Sequence, residues 1–406
     1  MDFTRLTGLA GLAAFLLAAV AMSRAPRRIS PRTIVAGLGL QLLLAVLVLK
    51  TTAGQAVFAG IGRGFRGLLA VVDVGCEFVF GPGFEDHFFA FKVLPSIVFF
   101  SSLMAILYHL RVMPRIVAGL AWLMQRSLGT SGAESMAAAA NVFLGQTEAP
   151  LVVRPYLPEM TDSELAAVMT GGFATVSAGM IAAYAELGID PGHLVSAAVI
   201  SAPASLVMAK ILEPETGTPK TLGSLPADRR RIGRNMIEAA AIGVEDGLRL
   251  AVMVGGMLLV FLGLIALADA GVAWVGSLVG RDWSLAAALG FSFAPAAWLM
   301  GVPWEDCTAA GELLGLKMAA NELVAYQRYT EWLGDGSGVA LAERTRVIMI
   351  YALCGFANLG SIGVQVGGIA SLAPERRGDL SRLGFRTMLG GTLACFTTAC
   401  LAGVLL

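Results

Sequence analysis

Charge is scarce in this chain. Of 406 residues, 14% are Asp, Glu, Lys or Arg and 56% are hydrophobic, where a soluble domain carries about 25% charge. Mean hydropathy is +0.74, which excludes an ordinary water-soluble globule and indicates a polytopic membrane protein. The formal net charge is zero, so nothing points to nucleic acid or to an acidic partner. Cysteine is sparse and scattered. Cys76, Cys307, Cys354, Cys395 and Cys400 are odd in number, and no CxxC or Cys/His metal spacing occurs. They read as small apolar packing residues. Catalytic signatures are missing too: the sequence holds no Gly-x-Ser-x-Gly, no His-Glu-x-x-His and no phosphate loop. The three histidines, His87, His109 and His193, fall near the ends of apolar runs. The acidic pairs Glu85-Asp86 and Glu305-Asp306 do the same and read as solvated. An enzyme is therefore not expected.

Long apolar runs are what the chain does have. About 20 residues cross a bilayer, and eight runs qualify: residues 6–23, 34–49, 88–110, 165–187, 193–212, 250–272, 347–372 and 383–406. The first has only Arg5 before it and Arg24, Arg27, Arg28 and Arg32 after it. That polarity is wrong for a cleaved signal, so it reads as a span with its N-terminus outside. Residues 56–72 and 112–128 carry arginines among apolar residues and read as interfacial helices.

Two further apolar regions are interrupted. Residues 132–155 are broken by Asn141 and by the run Gly145, Gln146, Thr147, Glu148, Ala149, Pro150. Residues 284–326 are broken by Pro303, Trp304, Glu305 and Asp306. Each fits a helical hairpin that enters and leaves on one side, which survives at membrane depth only where protein or a water-filled cavity satisfies its backbone. Basic residues set the orientation. The clusters are Arg24 to Arg32, then Lys220, Arg229, Arg230, Arg231 and Arg234, then Arg376, Arg377, Arg382 and Arg386. If all are cytoplasmic, both termini lie outside and the two hairpins are inverted. An internal match agrees: Gly172-Phe173-Ala174-Thr175 recurs as Gly355-Phe356-Ala357-Asn358, each copy followed by Gly/Ser-rich sequence. Inverted repeats with broken helices are the pattern of a secondary transporter.

The polar groups at membrane depth are few: Asn141, Gln146, Thr147, Glu148, Thr175 and Ser177 in the first half, and Asn321, Glu322, Asn358 and Ser361 in the second. Lys317 lies one turn before Asn321. Lone polar neutral residues usually bond helix to helix, but intramembrane carboxylates mark function. This set supports hydrogen bonding rather than bond breaking. A carboxylate accepts from a sugar diol, and an amide such as Gln146 offers donor and acceptor together, as a nucleobase edge requires. Only Lys317 and Arg154 could counter the two glutamates, which disfavours an anion. Phe356 stands beside the second cluster and could pack on a ring or simply on the core. For a cation, Asn141, the Leu144 carbonyl, the Thr175 hydroxyl and the Val176 carbonyl form one set of oxygens.

At these residues the sequence resembles the concentrative nucleoside transporter family. The resemblance is carried by residues 145–151, by Arg154-Pro155-Tyr156-Leu157, and by Gly172 to Val176. It continues through Ser201-Ala202-Pro203-Ala204, Ala209-Lys210 and Pro214-Glu215-Thr216. Asn321 to Tyr326 and Tyr351 to Asn358 with Ser361-Ile362-Gly363 complete it, so that it runs from about Gln41 to the C-terminus. It implies a homotrimer of protomers, each with a scaffold and a moving transport part in elevator-like alternation. It implies that Gln146, Thr147 and Glu148 face the nucleobase with Met180 nearby, and that Glu322, Asn358 and Ser361 hold the ribose with Phe356 close by. It implies Na⁺, the coupling ion, at Asn141, Leu144, Thr175 and Val176. Met180 stands where relatives often carry a smaller β-branched residue, and Thr175 replaces the usual serine while keeping the hydroxyl. The short N-terminus fits a bacterial-type protein.

The expectation is an all-α polytopic membrane protein with eight transmembrane helices, two inverted re-entrant hairpins and interfacial helices. Its divisions are 1–127 as scaffold, 128–213 as the first transport repeat, 214–283 as cytoplasmic loop and scaffold helix, and 284–406 as the second transport repeat. The expected function is Na⁺-coupled import of nucleosides across a bacterial inner membrane, with periplasmic termini. A proton-coupled symporter and a nucleoside channel or receptor stand as alternatives.

Overall fold

The computed structural model describes residues 3–224, 232–278, 280–281, 283–333 and 339–406. Arg229, Arg230 and Arg231 of the expected basic loop lie outside the described residues. Every regular element among the described residues is helical.

Three helices come first: α1 (Phe3–Ala21), α2 (Pro31–Lys50) and α3 (Thr52–Phe80). Then one series of seven helices occurs twice. The first series is α4 (Leu94–His109), α5 (Val112–Leu128), α6 (Gly132–Ala140), α7 (Ala149–Val152), α8 (Asp162–Ala174), α9 (Ala178–Glu186) and α10 (Pro191–Leu212). The second is α11 (Met236–Leu278), α12 (Leu285–Leu299), α13 (Cys307–Ala319), α14 (Glu322–Leu333), α15 (Glu343–Leu353), α16 (Leu359–Ala370) and α17 (Arg377–Leu405). Each series runs as a wall helix, a flanking helix, a two-legged hairpin, a helix broken in two, and one long unbroken helix. The four-residue match found in the sequence falls on the two breaks, one between α8 and α9 and one between α15 and α16.

Local chemistry sets these boundaries. Ser131 and Thr161 open α6 and α8 with capping boxes, their hydroxyls and the third-position glutamates Glu134 and Glu164 satisfying the free N–H groups. Ser30 and Asp190 cap α2 and α10, each followed by a proline at the first helical position. The innermost helices are buried nearly all round: every residue of α8 after Asp162 is buried, as is almost all of α10. α17 lies across both, while α1 packs along α17 and α2 along α10. α4 runs along α11 and packs on α9 with its other side. α11 leaves most of its apolar surface outward, with Ile237, Val252, Leu259 and Leu267 all highly exposed.

Among the described residues, seven helical stretches are long and apolar enough to cross a membrane. The eighth expected span, residues 347–372, is divided between α15 and α16, and neither half has full length. The second hairpin also differs from expectation. Pro303 to Asp306 does interrupt the region, separating α12 from α13, but the polar apex is at Ala320 and Asn321, where α13 gives way to α14. The reason is that the prolyl turn marks a surface reversal with Trp304 exposed, whereas Asn321 and Glu322 are buried. Residues 56–72 belong to a single helix, α3, and residues 112–128 form α5 as expected.

The two breaks cross. Phe356 donates its N–H to the Thr175 carbonyl at 3.3 Å, joining one break to the other. A Cβ at Gly355 would lie 2.6 Å from Cys395 Sγ of α17 and 2.8 Å from the Phe173 carbonyl of α8. A Cβ at Gly391 would lie 2.4 Å from Phe173 Cβ. Only glycine lets three backbones meet this closely. Gly355→Ala should therefore destabilise the protein by about 1–3 kcal/mol through overpacking. Gly363→Ala, whose Cβ meets nothing within 4 Å, should not, and comparative thermal unfolding of the two variants in detergent checks this.

Candidate functional site

A cavity of about 710 Å³ opens beside the crossing, inside the size range of small-molecule sites. One side is the wall, with Ser101, Met104 and Tyr108 of α4 and Leu250, Met253 and Met257 of α11. The other side is polar. The first hairpin contributes Gln146, Thr147 and Glu148 from the turn between α6 and α7, and the second contributes Asn321 and Glu322. α9 and α16 begin at the cavity, adding Ser177 and Met180, then Phe356, Asn358 and Ser361. All eight residues expected to touch a ligand thus line one cavity, drawn from both helical series.

Broken helices explain why the polar groups collect here. α9 and α16 present their N-termini, whose free N–H groups carry partial positive charge. Ser177 Oγ accepts from the Met180 N–H at 3.3 Å and Asn358 Oδ1 from the Ser361 N–H at 2.9 Å, so each cap is fixed by its own first turn. Asn358 Nδ2 then donates to Glu322 Oε2 at 3.2 Å, and Tyr184 Oη donates to Glu322 Oε1 at 2.8 Å. The Glu322 carboxylate is therefore held from both series and is 3% exposed. In the first hairpin, Glu148 Oε2 accepts from the Gly145 N–H at 3.4 Å, and the Phe143 carbonyl accepts from the Ala178 N–H at 3.0 Å, tying the apex to the start of α9. Gly368 gives Thr147 its place: a Cβ there would lie 2.7 Å from Thr147 Cγ2.

Of the expected cation ligands, Leu144 lines the cavity, while Asn141, Thr175 and Val176 do not. Asn141 is fully buried and neither polar atom of its side chain has a partner among the described residues. It rests on α8, where a Cβ at Gly171 would come within 2.9 Å of its Nδ2. The Leu144 and Val176 carbonyls accept no hydrogen bond among the described residues. Thr175 Oγ1 donates to the Gly171 carbonyl at 2.9 Å, leaving its lone pairs free. Orphaned oxygens this deep are costly unless something else satisfies them. Neutral oxygens at the C-terminal end of a half-helix suit a monovalent hard cation.

Two residues of the site were not singled out from the sequence. Tyr184 carries Glu322 and follows Ser177 by two turns of α9, so a helical-face reading from Ser177 would have reached it. Gln365 is fully buried on α16, one turn after Ser361. Its Nε2 donates to the Met169 carbonyl at 2.9 Å, and its Oε1 is unpartnered. A Cβ at Gly172 would lie 2.4 Å from that Nε2 and 2.9 Å from Gln146 Cβ, so Gln365 and Gln146 meet over Gly172.

A second polar network fixes the foot of the first hairpin. Lys210 Nζ of α10 reaches Glu134 Oε2 at 2.7 Å, Ser163 Oγ at 2.9 Å and Glu215 Oε2 at 3.3 Å. Ser131 Oγ donates to Glu164 Oε1 at 2.6 Å, and Thr161 Oγ1 to Glu215 Oε2 at 2.9 Å. α6, α8 and α10 are thereby joined at one end.

Family models match nearly the whole chain. The Na⁺ dependent nucleoside transporter C-terminus matches residues 193–403, the corresponding N-terminus residues 10–83, and a model described as nucleoside recognition residues 90–190. Among curated proteins, mouse solute carrier family 28 member 3 is 40% identical over 98% of this chain, and mouse sodium/nucleoside cotransporter 1 is 39% identical over 99%. The chain spans only 59% and 64% of those relatives. Among solved structures, CNTnw in an inward-facing substrate-bound state superposes with a TM-score of 0.94 at 40% identity, covering 99% of this chain and 98% of that one. A doubly substituted CNTnw in an outward-facing state gives 0.93 at 40% identity, covering 100% and 98%.

The foot network yields a measurable expectation. Lys210→Met leaves Glu134 buried without its cation and should cost about 3–5 kcal/mol. Adding Glu134→Gln should recover part of the loss, which denaturation of the single and double variants checks.

Proposed function

This chain belongs to the Na⁺-dependent nucleoside transporter family, and from that premise we propose that it is a Na⁺-coupled importer of nucleosides. The observation that carries the reading is the cavity in which both hairpin apices and both helix breaks converge. Gln146, with Thr147 and Glu148, offers donors and acceptors for a nucleobase edge. Glu322, oriented by Tyr184 and Asn358, accepts from the ribose diol, with Ser361 beside it. Met180 and Phe356 supply apolar surface for the rings. Na⁺ occupies the oxygen set of Asn141, Leu144, Thr175 and Val176, and its binding orders the hairpin apex against α9 before the nucleoside bridges the two series. A coupling of about 1–3 kcal/mol between ion and substrate is the usual scale of such linkage. One entering Na⁺ gains roughly 2.3 kcal/mol per 100 mV.

The cycle we propose is elevator-like. α4 and α11 form the fixed wall, and residues 128–213 and 284–406 carry the site past it. The broad outward apolar face of α11 suits a homotrimer contact or lipid. We place the protein in a bacterial inner membrane with both termini periplasmic and the two hairpins inverted, as the basic residues favour. The proton-coupled alternative is less well supported. In that alternative Glu322 is the carrier: its two oxygens accept hydrogen bonds from Tyr184 and Asn358, which favour the ionised form, while burial opposes it.

Uptake of labelled uridine into proteoliposomes tests the proposal. An inward Na⁺ gradient should drive accumulation above equilibrium, and choline should abolish it. Accumulation that ignores Na⁺ but collapses with a protonophore would overturn the ion assignment, and flux that never passes equilibration would favour a channel. Tyr184→Phe removes one donor to a charged acceptor and should weaken uridine binding about tenfold or more, for a loss of about 1.5–3 kcal/mol. Glu322→Gln should remove most uptake while the protein stays monodisperse; near-normal transport would refute its role.

A further inference from the structure

Lys317 has no part in the scheme above, yet it is the most deeply buried cation near the site. It is fully inaccessible, and no carboxylate among the described residues lies within ion-pair distance of it. Lys317 Nζ donates to the Ala352 carbonyl at 2.8 Å, in the last turn of α15, and the Cys395 side chain of α17 is another polar neighbour. A half-helix ending there carries roughly half a negative charge, and the ammonium caps it.

The placement matches the first series. In the first series, Asn141 follows the end of the leading hairpin leg, α6, and faces the last turns of α8. In the second, Lys317 sits in the last turn of the leading leg, α13, and reaches the last turn of α15. The same pair of elements, a first hairpin leg and the first half of a broken helix, brackets both places. One holds a neutral amide with unpartnered atoms and carbonyls that accept nothing. The other holds a covalently attached positive charge whose carbonyl is already occupied.

We propose that the Lys317 ammonium is a tethered cation in the second series, standing where the first series takes an exchangeable one, so that one Na⁺ moves per nucleoside. This rests on the Na⁺ reading of the Asn141 set. It also sets the charge that travels. With Glu148 and Glu322 ionised, Lys317 and one Na⁺ leave the loaded site neutral, and the empty site returns with a single negative charge. Membrane potential then acts on the return step.

The test uses the full chain in proteoliposomes, wild type, Lys317→Arg and Lys317→Ala. Paired ²²Na⁺ and tritiated uridine fluxes should give one Na⁺ per uridine in wild type and in Lys317→Arg, with non-cooperative Na⁺ activation. Lys317→Ala should lose about a hundredfold in uptake, the scale of breaking a buried charge site. Methylammonium or raised Na⁺ should restore it at least about tenfold, with Na⁺ activation turning cooperative. Two Na⁺ per uridine in wild type, or Lys317→Ala with wild-type uptake, would overturn the proposal. Should Lys317→Ala be poorly folded, its melting temperature supplies the answer. Methylammonium should raise it and leave wild type unmoved, and equal response of the two would count against a cation site. If wild-type uptake ignores Na⁺, the ion reading of the Asn141 set fails on its own, and selective methylammonium rescue then decides for or against the tethered charge.

Discussion

A helix that stops inside an apolar interior strands carbonyls at one end and N–H groups at the other, and the whole architecture answers that constraint. Buried backbone groups must find partners, and here two helices stop at the same depth. The solution is to place the breaks against each other. Phe356 N–H serves the Thr175 carbonyl, Ser177 and Asn358 serve the N–H groups of the following halves, and Cys395 Sγ approaches the Ala174 and Cys354 carbonyls at 3.6 and 3.3 Å. What these internal contacts leave unmet, at Asn141 and at the caps facing the cavity, is what the proposed ion and nucleoside would satisfy. The site is the unsatisfied remainder of the crossing.

Charge is distributed with the same economy. At the foot of the first hairpin, Glu134, Glu164, Lys210 and Glu215 satisfy one another with serine and threonine hydroxyls, so the group is rigid and closed. At the apex, Glu148 and Glu322 lie along a cavity and can accept from a guest. Nearer the basic end, Arg24 and Arg386 both reach Glu213, at 2.9 and 3.3 Å, and Arg382 reaches Asp162 at 2.7 Å. These contacts bind α10, α17 and the turn after α1 into one body. The hairpin thus has a bonded base and a tip open to the cavity, as the proposed ordering by a small cation requires.

Most of this could be read from residue types and spacing. An apolar run cannot tolerate Gly145-Gln146-Thr147-Glu148 without a purpose, and the duplicated Gly-Phe-Ala located both breaks. The second hairpin's apex was harder. Proline is a strong local signal, and Pro303 drew the turn toward itself, while Ala320-Asn321 contains no breaker and turns because the chain must enter the cavity. The division of residues 347–372 was only half visible: Gly355 was legible as a weak point, but that α16 starts a separate helix depends on Asn358 acting as its cap. Tyr184 and Gln365 were invisible as single letters, since what matters is what each touches across the crossing. The contact at Gly172, where Gln146 and Gln365 meet, joins residues far apart in sequence, and no local pattern announces it.

The wall facing the cavity is built on a helix longer than a membrane crossing. α11 runs for 43 residues, about 65 Å at 1.5 Å per residue, roughly twice a hydrocarbon core. It must lean, bend or project, so its side chains meet the opposing body at many depths. Those that line the cavity include Met253 and Met257, with Met104 from α4 beside them. Thioether chains are unbranched and pliant, and one set of contacts made by them is nearly as good as the next. A surface of that kind has no deep resting place. Under the proposed elevator-like cycle such a track would favour no one position, and the pauses would be set by the polar apex and its ligands rather than by the wall.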